Sequence, residues 1–175
     1  MFRANRRCWL AVVGLLAGIF GLTGCAHYHL GTDTVLPFRT LYVAPVENKT
    51  LLPQAQAITS TALREELLRD GRVTLVNSAE EADVTLTVRL VRYHRDIASV
   101  NPDDTGLARK FALTLDADAT LRDNRTGRDL FEHRALTAVR DAFTDSGQLL
   151  AESQTVPLLA GVLASRAAHA VLDVW

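Results

Sequence analysis

The tetrapeptide Leu22-Thr23-Gly24-Cys25 holds the residues whose types and spacing point most clearly to a definite chemistry. It follows a positively charged start and an uncharged apolar stretch over residues 9–22. That stretch is short for a membrane span, which needs ~20 apolar residues, and it suits the apolar region of a secretory signal. The tetrapeptide matches a bacterial lipobox, whose cysteine carries lipid on its sulfur and becomes the first mature residue. The alternative is an ordinary signal peptide that happens to contain a cysteine.

The lipobox predicts a covalent diacylglycerol and an N-acyl group such as palmitate on Cys25, and no other cofactor. Ala26 follows the cysteine, where an aspartate is associated with retention in the inner membrane, so we expect the outer membrane, on its periplasmic side. Several acyl chains hold a protein more firmly than one, because each buried CH₂ contributes about 0.8 kcal/mol. The sequence therefore predicts that the lipid is the membrane anchor.

Cleavage before Cys25 would leave 151 of the 175 residues, enough for one domain with its own core. Three arginines leave with the signal, so the mature chain has 16 basic and 20 acidic residues, a net charge of −4. A mildly acidic domain is not a general nucleic-acid binder. Cys8 also leaves, which excludes an internal disulfide. The predicted organisation is a signal peptide over 1–24, a lipidated tether over 25–37 and a single α/β domain over 38–175.

Hydrophobic periodicity predicts the element order β-α-β-β-β-β-α. The predicted segments are a strand near 41–46, a loop at 47–53, a helix over 54–70, strands near 73–76, 84–91, 110–121 and after 127, and a final helix from residue 147. Strict alternation in the two longest strands means that each buries one face and shows a polar face. The economical fold is α+β, an α/β sandwich with a small mixed, mainly antiparallel sheet and two helices packed on one face.

The turn Asn124-Arg125-Thr126-Gly127 suits a three-residue hairpin loop. Pairing centred on Thr126 makes apolar pairs on one face and directs His133 toward Ala119 on the core side. The predicted pairs are Leu121 with Phe131, Ala117 with Ala135, and Leu113 with Val139. A register shifted by one residue would set Glu132 and Arg134 against the core, which is costly.

The preceding hairpin is centred on Pro102-Asp103 in the same way, which sets Arg89 opposite Asp116 and Arg95 opposite Lys110. Like charges directly opposed in a sheet are destabilising. A bound anion such as phosphate would pair them. The alternative is that both side chains extend into water at a frayed strand end. This alternative is favoured, because charged residues are usually exposed.

Motifs for catalysis or metal binding are absent from the sequence. The histidines, which are His27, His29, His94, His133 and His169, include no pair at the i, i+4 spacing of a helical zinc site. There is no G-x-S-x-G, phosphate loop or G-x-G-x-x-G. The adjacent acidic pairs Glu80-Glu81 and Asp103-Asp104 are typical of solvated turns or helix starts. We expect neither an enzyme nor a metalloprotein.

Several segments, in order, resemble the LptE family of lipopolysaccharide-assembly lipoproteins of Gram-negative outer membranes. A Tyr-x-Leu pattern closely follows the cysteine in Cys25-Ala26-His27-Tyr28-His29-Leu30-Gly31, with one extra residue before the tyrosine. The likeness continues through residues 41–50, 63–67, 79–83 and 125–127, the strands and the final helix. It covers essentially the whole mature chain, and the order of the motifs carries it, since each is weak alone.

The resemblance implies a non-catalytic partner of the β-barrel protein LptD. LptE-like proteins sit as a plug inside that barrel, aid its assembly and help deliver lipopolysaccharide to the cell surface. A domain with one polar sheet face suits a wet barrel lumen. Positive charge at the predicted strand ends suggests that Arg92, Arg95 and Lys110 contact lipopolysaccharide phosphates, although no family binding motif matches them residue by residue.

A second family of lipoprotein domains shares part of the pattern. Residues 43–50, followed by a helix and an Ala-Asp strand, also look like the periplasmic domains related to curli secretion and to activators of cell-wall synthases. The short length after Val139 and the position of Tyr28 near the mature terminus favour the LptE resemblance. A hydrolase of envelope substrates would need a nucleophile and base that the sequence does not show.

Overall fold

The structure is a computed structural model that describes residues 36–100, 108–143 and 148–173. These residues belong to one unit, Val35–Trp175. The predicted signal peptide, Cys25 and the tether up to residue 35 lie outside the described residues, as does the predicted loop at 101–106.

Two helices pack against an open sheet of six strands in the described part of the chain. The elements are β1 (Thr40–Val43), β2 (Glu47–Asn48), α1 (Ala55–Asp70), β3 (Thr74–Val76), a 3₁₀ helix (Ala79–Glu81), β4 (Val84–Val100), β5 (Ala108–Asp123), β6 (Asp129–Phe143) and α2 (Gln148–Leu172). The order is β3-β1-β4-β5-β6, with β2 beside β4. β1 runs parallel to β3 and β4, whereas β4, β5 and β6 pair antiparallel. The predicted mixed sheet with two helices is confirmed, and β2 occupies a segment that was predicted as a loop.

The core lies between the helices and one side of the sheet, which we call the helix face. Its sheet residues are Leu41, Val43, Val84, Leu86, Val88, Leu90 and the odd-numbered residues of β5 from Phe111 to Leu121. Helix α1 adds Leu63 and Leu67, and helix α2 adds Leu159, Leu163 and Val171. Burial of one such side chain stabilises the fold by about 1.5–3 kcal/mol. The opposite side of the sheet, the open face, has neither helix on it.

Helix α2 is apolar enough over Leu150–Leu172 to cross a membrane by length and composition alone. However, 61% of its most apolar stretch is buried within the domain. Its broad buried stripe packs on β5, β6 and α1, as the core helix of a folded domain does.

The β5–β6 hairpin keeps the predicted register only beside its turn. The observed pairs are Leu121 with Phe131, Ala119 with Arg134, Ala117 with Leu136, and Leu113 with Arg140. The first pair is as predicted. The predicted pairs Ala117 with Ala135 and Leu113 with Val139 are wrong.

The cause is a bulge in β6 around His133, which has a left-handed φ of 46°. An extra residue in one strand moves every later side chain to the other face. Leu136 therefore points into the core and is 6% exposed, whereas Val139 is 49% exposed. His133 is exposed and lies beside the bulge, so its predicted place opposite Ala119 on the core side is also wrong.

The chain enters the domain beside the β5–β6 turn, where Asp83 joins two strands. Its Oδ2 atom accepts hydrogen bonds from the backbone N–H groups of Arg39, at 2.8 Å, and Thr40, at 3.0 Å. These two bonds hold the pKa of Asp83 below its ordinary value. Next to it, the Asn124 side-chain amide donates to the carbonyls of Ala79 and Ala82. This polar clasp fixes the start of β1 against the start of β4 and the turn.

Candidate binding face

The basic residues predicted at the strand ends do not lie on one side of the sheet. A bulge between Leu90 and Arg92 shifts the pairing of β4 with β5. The observed pairs are Arg89 with Asp118, Arg92 with Asp116, Arg95 with Leu113, and Ser99 with Lys110. The predicted pairs Arg89 with Asp116 and Arg95 with Lys110 are wrong. Directly opposed residues share a face, so Arg92 and Lys110 lie on the open face and Arg95 lies on the helix face.

Arg92 belongs to a polar network that crosses three strands of the open face. Its Nε atom lies 3.1 Å from Oδ2 of Asp116. The other oxygen of that carboxylate accepts a 2.8 Å hydrogen bond from the Thr137 hydroxyl in β6. The Arg92 side chain is 71% exposed, against 17% for Asp116. The carboxylate therefore positions a guanidinium that still shows most of its surface to solvent.

Lys110 also has an acidic partner on the open face. Its Nζ atom lies 2.8 Å from Oδ2 of Asp141 in β6 and 5.8 Å from the ring centre of Phe143. An exposed ion pair contributes little to stability, about 0–1 kcal/mol. A competing anion could therefore replace Asp141 beside the Lys110 ammonium group at little cost in free energy.

Near the beginning of β4, Arg89 pairs with Glu47 of β2 at 2.9 Å between Nε and Oε2. The hydrogen bond and charge of Arg89 hold the pKa of Glu47 below its ordinary value. This contact fixes the short strand β2 at the margin of the open face, beside the network around Arg92.

The open face has more carboxylates than basic groups among its described residues. Its central strands and their ion-pair partners contribute Arg89, Arg92, Lys110 and Arg122 against Glu47, Asp96, Asp116, Asp118 and Asp141. A phosphate group that pairs with Arg89 or Lys110 competes with the carboxylate that each already holds, whereas the Arg92 guanidinium also has an exposed surface that can meet a phosphate directly. Binding of an anion at this face is therefore a competition between carboxylates and phosphates.

Arg95 lies on the helix face and contacts α2. It forms an ion pair with Glu152, and its guanidinium carbon lies 5.1 Å from the ring centre of Phe111. The Arg95 side chain is 40% exposed and that of Glu152 is 19% exposed. Burial, together with the nearby charge of Glu152, raises the pKa of Tyr93 to about 12. Arg95 is therefore an anchor for α2 as well as a basic group within reach of solvent.

Sequence reasoning missed Tyr93 and Glu152, which accompany Arg95. A signal was present, because the apolar positions of β4 change from even numbers up to Leu90 to odd numbers at Tyr93 and Ile97. That change of phase marks the bulge. Glu152 is the only acidic residue of α2 (Gln148–Leu172), and a largely buried acid calls for a basic partner.

No group of three or more His, Cys, Asp or Glu side chains in the ranges 36–100, 108–143 and 148–173 could hold a metal ion. The Nε2 atom of His94 lies 3.5 Å from Oδ2 of Asp96. Two of the five histidines, His27 and His29, lie outside the described residues.

Comparison of the chain with models of known protein families identifies its family. The model described as Lipopolysaccharide-assembly, LptE, matches residues 38–173. The chain belongs to the LptE family. The match spans the sheet, both helices and the polar clasp, so the resemblance drawn from the sequence motifs is confirmed for the domain. No curated protein matches the chain.

Solved structures with the same fold include a lipoprotein. A minor lipoprotein from Acinetobacter baumannii is 20% identical, with 79% of this chain and 96% of that chain covered and a TM-score of 0.52. A protein from Xanthomonas campestris is 14% identical, with coverages of 77% and 84% and a TM-score of 0.57. A hypothetical protein from Chlamydia trachomatis is 14% identical, with coverages of 77% and 94% and a TM-score of 0.51. At these identities the likeness concerns the fold. The family match places this chain among the lipopolysaccharide-assembly proteins of the LptE family.

Proposed function

We propose that this LptE-family protein is a non-catalytic outer-membrane lipoprotein that plugs an LptD-like β-barrel, helps it assemble and aids lipopolysaccharide delivery to the cell surface. The observation that carries the proposal is the family match over residues 38–173. The polar open face is consistent with it, because a wet barrel lumen can hydrate charged and hydroxyl side chains.

The proposed anchor is a diacylglycerol and an N-acyl chain on Cys25, which holds the protein on the periplasmic side of the outer membrane. Residues 26–35 link that cysteine to the described domain, and a chain of this length spans at most roughly 35 Å. The domain would therefore remain close enough to the inner leaflet to enter a barrel embedded in the same membrane.

The proposed contacts with lipopolysaccharide phosphates are Arg92, Arg95 and Lys110. Arg92 is the most accessible of the three, whereas Arg95 and Lys110 must give up Glu152 and Asp141. Reversal of all three charges to glutamate should abolish binding of purified lipopolysaccharide. The matched control is Arg128→Glu, at an exposed arginine in the β5–β6 turn. Unchanged binding by the triple variant would refute the assignment.

Affinity purification of the lipidated protein from detergent-solubilised outer membranes tests the partner. We expect a large β-barrel of the LptD kind in near-equimolar amount, identified by mass spectrometry. A tagged outer-membrane lipoprotein of another family, expressed at the same level, controls for contaminating barrels. Recovery of a cell-wall synthase or a secretion pore instead would support the rival lipoprotein families. A protein that purifies alone would contradict the plug.

A further inference from the structure

Helix α2 has two segments that are attached to the rest of the domain in different ways. Pro157 lies between them and has no N–H to donate to the carbonyl of Ser153. Just before it, the Thr155 hydroxyl donates to the carbonyl of Ala151 at 2.7 Å, and the Ser153 hydroxyl donates to that of Leu150 at 2.8 Å. Such back-bonding side chains bend helices. The junction therefore has the features of a hinge.

The segment after Pro157 is fixed strongly. Leu159, Leu163 and Val171 are fully buried. Two arginines also connect this segment to the edge strand β6. Arg134 of β6 donates to the carbonyl of Ala170 at 3.2 Å, and Arg166 of α2 donates to the carbonyl of Thr137. Motion of this segment would disrupt the main core.

The segment before Pro157, residues 148–156, is called the flap, and its described side chains, those of residues 150–156, include fewer buried residues than the segment after Pro157. Ala151, Thr155 and Val156 are buried, and the ion pair of Glu152 with Arg95 joins the flap to β4. Arg95 reaches Glu152 because the bulge in β4 turns it to the helix face, above Phe111. The carboxylate also lies near the buried Tyr93 hydroxyl, and burial together with that charge raises the pKa of Tyr93.

We propose that Arg95 and Glu152 form a latch that holds the flap closed about Pro157, and that a phosphate group competing for Arg95 releases it. Arg95 is exposed enough to meet an anion from solvent. A phosphate that takes the Arg95 Nη1 donor displaces the Glu152 carboxylate from it, so binding at that donor and release of the flap are coupled in both directions. Release uncovers Tyr93 and Phe111, an aromatic surface beside the exposed Ile97. The identity of the phosphate ligand as lipopolysaccharide rests on the proposed function.

Hydrogen–deuterium exchange on the full lipidated protein in detergent tests the latch without any ligand. Glu152→Gln removes the charge and keeps the shape, and we expect amide exchange in the flap to rise about tenfold, with residues 159–172 unchanged. Arg95→Gln should give the same pattern. Glu66→Gln, which breaks the ion pair with Arg69 on α1, is the matched control and should leave the flap as in wild type. Unchanged flap exchange, or an equal rise along all of α2, would overturn the latch.

Added ligands test the coupling. Purified lipopolysaccharide should raise flap exchange in the wild type, and Glu152→Gln should bind it up to about tenfold more tightly because the competing carboxylate is gone. Inorganic pyrophosphate at matched phosphate concentration separates the sources: release by both ligands assigns the effect to the phosphate group, and release by lipopolysaccharide alone assigns it to the whole lipid. Lipopolysaccharide that binds without raising flap exchange overturns the coupling. If lipopolysaccharide binds neither the wild type nor Glu152→Gln, the proposed function is contradicted. The latch itself is then accepted or rejected by the exchange experiment without ligand.

Discussion

Removal of the Asp83 carboxylate tests the polar clasp at the entry of the domain. In wild type its Oδ2 accepts two backbone hydrogen bonds, at 2.8 Å from Arg39 and 3.0 Å from Thr40. A hydrogen bond to a charged group contributes about 1.5–3 kcal/mol. The Arg39 N–H is exposed and regains water in the variant, so mainly the partly buried Thr40 N–H is left unsatisfied. We expect Asp83→Ala to lower the free energy of unfolding by about 2 kcal/mol.

Thermal unfolding of the domain measures this loss. A change of 1 kcal/mol shifts Tm by about 2–4 °C in a protein of this size, so we expect a drop of about 4–8 °C at pH 7. The control is Glu81→Ala, an exposed acid of the neighbouring 3₁₀ helix that makes no ion pair in the described residues. Its Tm should stay within about 1 °C of wild type.

The pH dependence gives a second, independent test. The pKa of Asp83 in the folded protein lies below the ordinary value of 3.8, so the unfolded state binds its proton first as pH falls. The stabilisation is therefore present above about pH 4 and is lost progressively below it. The difference in Tm between wild type and Asp83→Ala should shrink on going from pH 7 to pH 3. An equal difference at both values, or none at pH 7, would refute the role of the carboxylate.

Three further predictions concern the strands and the buried tyrosine. Leu136→Ala should cost about 2–3 kcal/mol in urea unfolding and Val139→Ala less than about 1 kcal/mol, because the bulge puts only the first in the core; the reverse order would restore the register predicted from sequence. His133→Gly should stabilise the domain by about 0.5–1 kcal/mol by relieving a positive φ, whereas Glu132→Gly should destabilise it; destabilisation by both would argue against strain. The pKa of Tyr93 rises from 10.0 to about 12 on folding, so stability should fall between pH 10 and 12 as the unfolded tyrosine ionises. Tyr93→Phe should reduce the decrease in Tm between pH 10 and 12. The same decrease in Tyr93→Phe as in wild type would contradict the buried position of the hydroxyl.

The fold could be predicted from the sequence because local pattern and burial agree along most of the chain. Alternation over Val84–Leu90 and Phe111–Leu121 defined two strands and the face that each one buries. Helix α1 ends at Asp70 and is capped by Gly71, whose φ of 75° is the left-handed conformation that glycine adopts most easily. These features depend on neighbouring residues, which a single sequence shows directly.

The binding face could be predicted only in part, because bulges change the face of every residue that follows them. One extra residue before Arg92 moved Arg92 to the open face with Lys110 and Arg95 to the helix face, and one at His133 moved Val139 out of the core. Ideal hairpin pairing from the turn outward assumes that no residue is inserted. The change of apolar phase in β4 could have revealed the first bulge, whereas the contact of Arg95 with Glu152 depends on how a helix far along the chain packs.

Depletion of this protein in its own bacterium tests the central claim most directly. The measurement is the amount of folded LptD-like barrel in the outer membrane, read from its heat-modifiable electrophoretic mobility, together with lipopolysaccharide at the cell surface. If the protein plugs and helps assemble the barrel, both should fall as the protein is lost, and wild-type protein should restore both. Normal levels of folded barrel and surface lipopolysaccharide in cells without the protein would contradict it.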